Sequence, residues 1–212
     1  MPVVHGVNLS PFVRKVRVAL TEKGIAYELK PVLPASDEFE PMNPLKKIPV
    51  YEEDGFAVPG SSVIIAYLER RQPNPPLHPR DDRQFAQALF LEEYADTKLT
   101  DATLPFVVEN VIKPKLLGGA PDLAALDTAR AAQGPVFDYL ESRLGTHTWA
   151  GIIGGRFSVA DIAIGCPFVS LQQGGGVLDA ARWPKLARYI RVLHSRPSFK
   201  GLIEEEAASL RG

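Results

Sequence analysis

The stretch that decides the fold spans residues 10–20 and reads Ser-Pro-Phe-Val-Arg-Lys-Val-Arg-Val-Ala-Leu. Apolar residues recur along it at helical spacing: Val13, Val16 and Leu20. The basic residues between them are expected to face away from this stripe: Arg14, Lys15 and Arg17. Ser10 followed by Pro11 is a helix start signal, because serine favours the N-cap and proline the first helical position. The stretch therefore predicts a helix that begins at Pro11.

The residues around this helix predict a small mixed sheet. Short apolar segments at residues 3–7 and 27–29 flank the helix and read as two parallel strands, because a helix crosses from one to the other. Residues 49–51 and 56–58 flank Glu53-Asp54-Gly55, which is a hairpin signal. Ser61 is then expected to cap a second helix. Strand, helix, strand, hairpin and helix together predict a compact α/β unit that is complete by about Arg71.

A proline-rich segment marks a domain boundary. Residues 72–79 read Gln-Pro-Asn-Pro-Pro-Leu-His-Pro, and four prolines in eight residues favour a stiff, extended linker over a helix. Beyond it, apolar residues recur at helical spacing in four segments, which start near Phe85, Leu123, Val159 and Leu186. The prediction is an α/β domain at residues 1–74, a linker at 75–83 and an all-helical domain at 84–212.

Composition narrows the possible partners. The 212 residues include 24 Lys and Arg against 25 Asp and Glu, so there is no basic surplus to neutralise the phosphates of a nucleic acid. The single cysteine, Cys166, rules out a disulfide framework, and His78, His147 and His194 lack the spacing of metal ligands. No signal peptide or long apolar run is evident. We therefore expect a cytoplasmic protein that binds neither metal, nucleic acid nor membrane.

Ser10 is the strongest candidate for a catalytic residue. Free backbone N–H groups and the positive end of the helix dipole converge at a helix N-terminus. A thiol brought to this point meets a hydrogen-bond donor and a favourable potential, both of which lower its pKa. A serine in this position can also do no more than cap the helix.

Three motifs together resemble the cytosolic glutathione transferases. Residues 43–50 read Asn-Pro-Leu-Lys-Lys-Ile-Pro-Val, and residues 60–68 read Gly-Ser-Ser-Val-Ile-Ile-Ala-Tyr-Leu. With the stretch at residues 10–20, they follow the order and spacing of that family, and the helical remainder fits it as well. The resemblance implies a thioredoxin-like domain followed by an all-α domain, glutathione as co-substrate and a homodimer. The resemblance is to the serine-dependent theta, zeta, tau and phi-like classes, and the Ser-Pro-Phe context is most similar to tau and to many bacterial members.

The resemblance also implies roles for individual residues. Ser10 matches the catalytic serine, and Pro49 matches a proline that is cis in the family and turns the Ile48 backbone toward the cysteinyl part of glutathione. Ser61 matches the serine that holds the γ-glutamyl carboxylate. Lys47 matches a position that often reaches the glycyl carboxylate, although a solvated surface charge is an equal alternative for it.

Gly60 departs from the family pattern. The family usually has Glu or Asp immediately before the serine of the second helix, and that carboxylate meets the amino group of glutathione. A glycine at this position predicts weaker or differently arranged glutathione binding. It also keeps open a non-catalytic role.

The function that the resemblance implies is activation of the glutathione thiol for conjugation to, or reduction of, small hydrophobic electrophiles. The electrophile is expected between Pro11 and Phe12 on one side and the helix around Tyr94 to Phe106 on the other. The main alternative is a transferase-like protein that binds glutathione or a partner without turnover. A zeta-like maleyl isomerase is less favoured, because the run Leu9-Ser10-Pro11 does not reproduce the Ser-Ser-Cys motif of that class. A disulfide reductase of the omega type is less favoured again, because Ser10 replaces its cysteine.

Overall fold

The computed structural model describes residues 1–34, 39–145 and 150–210, and His147 lies outside them. The chain divides into two compact units, Met1–His78 and Pro79–Gly212. The first unit contains a mixed sheet and two helices, and the second is helical. The predicted combination of a thioredoxin-like unit and an all-α unit is confirmed.

The first unit contains four strands, β1 (Val3–His5), β2 (Glu28–Lys30), β3 (Val50–Glu53) and β4 (Phe56–Pro59), which form one sheet in the order β2-β1-β3-β4. β1 pairs in parallel with β2 and antiparallel with β3, and β3 and β4 form the predicted hairpin. Asp54 and Gly55 both have positive φ, as the tight turn between β3 and β4 requires. Two helices complete the unit: α1 (Pro11–Glu22) lies between β1 and β2 in the chain, and α2 (Ser61–Arg71) follows β4.

The core of the first unit lies between the sheet and its helices. The predicted apolar stripe of α1 is fully buried there and packs with residues from the sheet and from α2. The core residues are Val4, Val13, Val16, Leu20, Tyr51, Val58, Ile64 and Leu68. Because the same stripe was visible in the sequence, the position of α1 on the sheet follows from its helical periodicity.

The basic residues of α1 are not part of the core cluster that the apolar stripe forms, yet they do not face solvent either. Arg14, Lys15 and Arg17 are all buried. The ammonium of Lys15 donates a 3.0 Å hydrogen bond to the hydroxyl of Ser62, and the guanidinium of Arg17 donates one of 2.7 Å to the hydroxyl of Tyr27. Burial of a cation is tolerated when hydrogen-bond partners replace water, and both partners come from elsewhere in the sequence.

The second unit begins with a long helical rod. α3 (Asp82–Tyr94) and α4 (Thr100–Val107) are joined by a π-helical segment at Ala95–Leu99, and a second π-helical segment extends the rod from Val108 to Leu116. The helices that follow are α5 (Leu123–Arg143), α6 (Val159–Gln173), α7 (Pro184–Ser195) and α8 (Pro197–Ser209). The last of these was not predicted. The described residues of this unit contain no β-strand, only an isolated bridge between Ile153 and Arg156.

A buried carboxylate organises the start of α6. Asp161 accepts hydrogen bonds of 2.7 Å from the N–H groups of Ile152 and Ser158, and another from the hydroxyl of Tyr189. Burial raises the pKa of Asp161, and these hydrogen bonds oppose the rise. Ser158 and Asp161 form a capping box.

Among the described helices, none is long and apolar enough to span a membrane.

Candidate functional site

The N-terminus of α1 is formed as the sequence predicts. Ser10 is the N-cap residue with extended backbone, and its hydroxyl oxygen accepts a long hydrogen bond of 3.4 Å from the N–H of Val13. Within the described chain, the hydroxyl proton of Ser10 has no acceptor. A half-buried hydroxyl that only accepts a hydrogen bond keeps its own proton for donation to a ligand.

The turn before β3 presents an open pair of backbone groups. The peptide between Ile48 and Pro49 is cis, as the family resemblance implies. Neither the N–H nor the C=O of Ile48 is hydrogen-bonded to another described residue. Ile48 is half-buried and packs on the core of the first unit, so its backbone is held in place while its polar groups remain available.

Asn43 holds the turn that leads to Ile48. Its side-chain amide donates a 2.6 Å hydrogen bond to the C=O of Lys47, and its side-chain oxygen accepts one of 3.0 Å from the N–H of Leu45. The residue is almost fully buried. Sequence reasoning did not assign this role. The Asn-Pro pair at residues 43–44 signals a turn, but not which backbone groups the side chain contacts.

The N-terminus of α2 differs from the prediction in one residue. Gly60, and not Ser61, is the N-cap, and Ser61 is the first helical residue. Gly60 has φ of 89°, a conformation that glycine adopts without strain and other residues adopt only at a cost. Because glycine has no side chain, the first turn of α2 lacks a side-chain cap. The N–H groups at this helix terminus and the helix dipole therefore favour an anion.

Ser61 lies at this anion-accepting terminus. It is 7% exposed, and its hydroxyl makes no hydrogen bond within the part of the chain that the structure describes. Ser62 beside it accepts the hydrogen bond from Lys15, which brings a buried cation to the first turn of α2. This contribution of Lys15 could not be read from the sequence, because it depends on how α1 and α2 pack.

The sheet brings three segments to the same end: the start of α1, the turn at Ile48 and Pro49, and the start of α2. His5 pairs with Val50, and Val50 pairs with Pro59. In antiparallel pairs, the residues after His5, before Val50 and after Pro59 all lie at the same end of the sheet. The N–H of Gly60 donates a 3.1 Å hydrogen bond to the C=O of Pro49. A Cβ atom on Gly6 would lie 3.4 Å from that of Ile48, so the segment that leads to Ser10 passes close beside the turn.

The other predicted site residues are divided between the two units: Lys47, Pro11 and Phe12 belong to the first, and Tyr94 belongs to the second. Lys47 is exposed and forms no ion pair with a described residue, so its ammonium is accessible to a carboxylate. Pro11 is buried and Phe12 half-buried in the first turn of α1. Tyr94 belongs to the second unit, where its ring lies 4.6 Å from that of Tyr139 and burial raises the pKa of its hydroxyl. The proposed substrate site between the two units therefore stays a prediction.

Several titratable residues lie outside this site. No group of three or more His, Cys, Asp or Glu residues in residues 1–34, 39–145 and 150–210 could hold a metal ion. Cys166 is buried in α6. His5 is buried in β1, and its Nε2 lies 2.9 Å from the carboxylate of Glu52.

Comparisons with known families agree with this geometry. The profile of the glutathione S-transferase N-terminal domain matches residues 4–76, and that of the C-terminal domain matches residues 123–191. The chain belongs to the glutathione transferase superfamily. The family gives glutathione as the co-substrate, and the N-terminal match contains Ser10, Ile48, Pro49 and Ser61.

Individual members of the superfamily are similar over nearly the whole chain. A glutathione S-transferase from Sinorhizobium meliloti shares 30% of its residues, with a TM-score of 0.88 over 99% of this chain and 95% of that one. A glutathione S-transferase from Methylobacillus flagellatus with glutathione bound shares 32%, with a TM-score of 0.77 over 95% and 98% of the two chains. FtsZ-localized protein A from Caulobacter vibrioides is 31% identical over 95% of this chain and 90% of its own length.

Proposed function

We propose that this transferase-family protein is an enzyme that binds glutathione at the edge of its sheet and activates the thiol with Ser10. The observation that carries the proposal is the state of the Ser10 hydroxyl. It caps α1 through a long hydrogen bond, keeps its proton for a ligand, and lies at the same end of the sheet as Ile48 and the N-terminus of α2.

Three anchors in the first unit match the chemistry of the tripeptide. The open N–H and C=O of Ile48 complement the main chain of the cysteinyl residue. The uncapped first turn of α2, with the hydroxyl of Ser61, complements the γ-glutamyl carboxylate. The exposed ammonium of Lys47 complements the glycyl carboxylate. Together these anchors bind glutathione with its thiol directed to Ser10.

The energetic requirement on Ser10 is modest. Lowering a thiol pKa from about 8.5 to about 6.5 requires roughly 2.7 kcal/mol of preferential stabilisation of the thiolate. A hydrogen bond to a charged group contributes about 1.5–3 kcal/mol, and a helix terminus adds about 0.3–1 kcal/mol. A hydrogen bond from one hydroxyl, together with the N-terminus of α1, therefore supplies stabilisation of the required size without a second catalytic group.

In the proposed reaction, the thiolate attacks the electrophilic atom of a small hydrophobic compound. The sulfur forms a bond to that atom, and the leaving group departs with the electron pair. Ser10 donates its hydrogen bond to the thiolate and takes no covalent part. The apolar first turn of α1, with Pro11 and Phe12, supplies one wall for the electrophile, and Tyr94 of the second unit is proposed for the opposite wall.

Turnover of a generic electrophile tests this proposal. The rate of conjugation of glutathione to 1-chloro-2,4-dinitrobenzene is measured with the wild-type protein and with Ser10→Ala. We expect the wild type to accelerate the reaction over buffer, and the variant to lose a factor on the order of ten to a thousand of that acceleration. A wild-type protein that binds glutathione but does not accelerate its reactions with a panel of electrophiles would contradict the proposal.

A specific observation favours one other candidate, a non-catalytic protein that binds glutathione or a partner. Gly60 replaces the acidic residue that the family places before the α2 serine, and the name of one relative gives a localisation with FtsZ instead of an activity. The turnover experiment separates the two candidates. Only an enzyme has a conjugation rate at saturating glutathione that Ser10→Ala can lower.

A further inference from the structure

The N-terminus of α2 is suited to an anion and not to a cation. Gly60 supplies no side-chain cap, and the first turn reads Ser-Ser-Val-Ile, without an acidic residue. Ser61 is buried, and within the described chain its hydroxyl has no hydrogen-bond partner. A buried hydroxyl at the positive end of a helix dipole can donate to a carboxylate oxygen, which the dipole also attracts.

A buried cation adds positive charge to the same turn. The Nζ of Lys15 lies 3.0 Å from the hydroxyl oxygen of Ser62, the second residue of α2, and Lys15 is only 1% exposed. Lys15 belongs to α1, so its ammonium reaches this turn because the two helices pack on the same core. A buried charge is screened by water less than an exposed one. The ammonium therefore adds to the positive potential of the helix terminus.

The backbone acceptors beside this terminus are directed into the helices. The C=O of Gly60 accepts a 2.9 Å hydrogen bond from the N–H of Ile64, and the C=O of Ser10 accepts one of 2.9 Å from the N–H of Arg14. The first turn of α1, like that of α2, contains no acidic residue. The two helix termini therefore offer donors and positive potential, which attract a carboxylate and repel an ammonium group.

We propose that the site recognises thiol peptides by the carboxylate of their γ-glutamyl group and does not require the amino group beside it. Lys15 is the positioning residue for this selectivity: it acts through Ser62 and through its charge, while Ser61 meets the carboxylate. The inference rests on the proposed glutathione site and names its ligand class. That class includes glutathione, and also glutathione whose amino group has been removed or acylated.

Calorimetric titration of the wild-type, full-length protein with three ligands tests the selectivity. Glutathione is compared with glutaryl-cysteinylglycine, which lacks only the amino group, and with 4-aminobutanoyl-cysteinylglycine, which lacks only the γ-glutamyl carboxylate. We expect the glutaryl peptide to bind within about threefold of glutathione, or more tightly. The 4-aminobutanoyl peptide should bind at least about tenfold more weakly, because it leaves the hydroxyl of Ser61 and the helix terminus without an anion.

Variants of α1 test the role of Lys15. The quantity compared is the ratio of the dissociation constants of the 4-aminobutanoyl peptide and glutathione. Lys15→Met removes the ammonium and should lower this ratio by about fivefold or more, whereas Lys15→Arg keeps the charge and should keep most of the ratio. Arg17→Met is the matched control, because it removes another buried cation of α1, one that donates to Tyr27. It should leave the ratio within about twofold of the wild type.

General destabilisation weakens both ligands alike and leaves this ratio unchanged, and thermal melting shows whether each variant is folded. The ligand series uses the wild type alone, so it tests the selectivity even where a variant does not fold.

The proposal is overturned if removal of the amino group weakens binding more than about threefold, or if removal of the carboxylate weakens it less than about tenfold. It is also overturned if a folded Lys15→Met keeps the wild-type ratio. A wild-type protein that does not bind glutathione would contradict the proposed function as well. The two proposals are otherwise separable, because these titrations do not involve Ser10. A selective site whose bound thiol is not activated would contradict the catalytic role of Ser10 and leave the selectivity intact.

Discussion

The N–H of Gly60 donates a 3.1 Å hydrogen bond to the C=O of Pro49, and this bond joins two of the three segments of the proposed glutathione site. Pro49 follows Ile48, whose N–H and C=O are available to the cysteinyl residue of glutathione. Gly60 precedes the N-terminus of α2, which is the proposed site for the γ-glutamyl carboxylate. Because β3 and β4 form a tight hairpin, the two segments are held at a fixed separation. The hairpin thus sets the distance between two anchors of the same ligand.

Restoring a carboxylate at position 60 should strengthen glutathione binding. Space is available, because the nearest atom to a Cβ at Gly60 is a methyl carbon of Val63 at 3.8 Å. We expect Gly60→Glu to lower the dissociation constant of glutathione by about fivefold, since an ion pair with the amino group contributes about 1 kcal/mol. The measurement is calorimetric titration with glutathione.

The same substitution should cost stability, because φ of 89° is strained for any residue with a side chain. We expect the free energy of unfolding to fall by about 1–3 kcal/mol in both Gly60→Glu and the control Gly60→Ala, as measured in urea. Only the glutamate should gain affinity. Equal affinities in the two variants would show that the amino group of glutathione does not lie near position 60.

Asn43 should act on glutathione binding through the backbone that it holds. In Asn43→Ala the C=O of Lys47 loses a donor and the N–H of Leu45 an acceptor, and we expect the KM for glutathione to rise roughly fivefold or more. The kcat should change much less, because Ser10 is untouched. Asn43→Asp keeps the acceptor for Leu45 and should show an intermediate KM.

Asn110 supplies the matched control for this experiment. Its side chain also donates to a backbone C=O, that of Gly174 in the second unit. Asn110 is exposed and makes one such bond, so Asn110→Ala should lose less stability than Asn43→Ala, and it should leave the KM unchanged. If both alanine variants raise the KM equally, the effect of Asn43 is general destabilisation and the positioning role is incorrect.

We expect the protein to form a homodimer. The first turns of α3 expose three large apolar side chains on the surface of the second unit, Phe85, Leu89 and Phe90, which are 41%, 38% and 54% exposed. A cluster of this kind on a soluble protein marks an interaction surface. Light scattering at micromolar concentration should give twice the chain mass for the wild type and a single chain mass for Leu89→Glu. Leu123→Glu changes an exposed leucine on α5 and should remain dimeric. A monomeric wild type would contradict the prediction.

The local elements were predictable from the sequence, and the contacts between them were not. Serine prefers the N-cap and proline the first helical position, so Ser10 and Pro11 predict where α1 begins and which residue caps it. Serine is common at the N-cap, so the sequence predicts Ser61 there. The observed cap is Gly60, whose positive φ is set by the geometry of the β4–α2 junction.

Buried polar groups were the least predictable part of the site. Lys15 and Arg17 have the spacing of an outer helix face, yet both are buried because Ser62 and Tyr27 offer them hydrogen bonds across the unit. Asn43 looks like a turn residue, and its contact with Lys47 depends on the shape of the whole loop. Such pairings depend on tertiary structure, which a helical or strand period does not encode.

The pKa of glutathione bound to the protein tests the central claim most directly. The thiolate absorbance of the saturated complex is followed as a function of pH in the wild type and in Ser10→Ala, which needs no knowledge of the electrophile. If Ser10 stabilises the thiolate, the wild type should hold the pKa of bound glutathione below that of free glutathione, and Ser10→Ala should raise it by about one unit or more. The affinity for glutathione should change little, because Ile48 and Ser61 remain. A bound thiol whose pKa equals that of free glutathione in the wild type, or is unchanged by Ser10→Ala, would contradict the account.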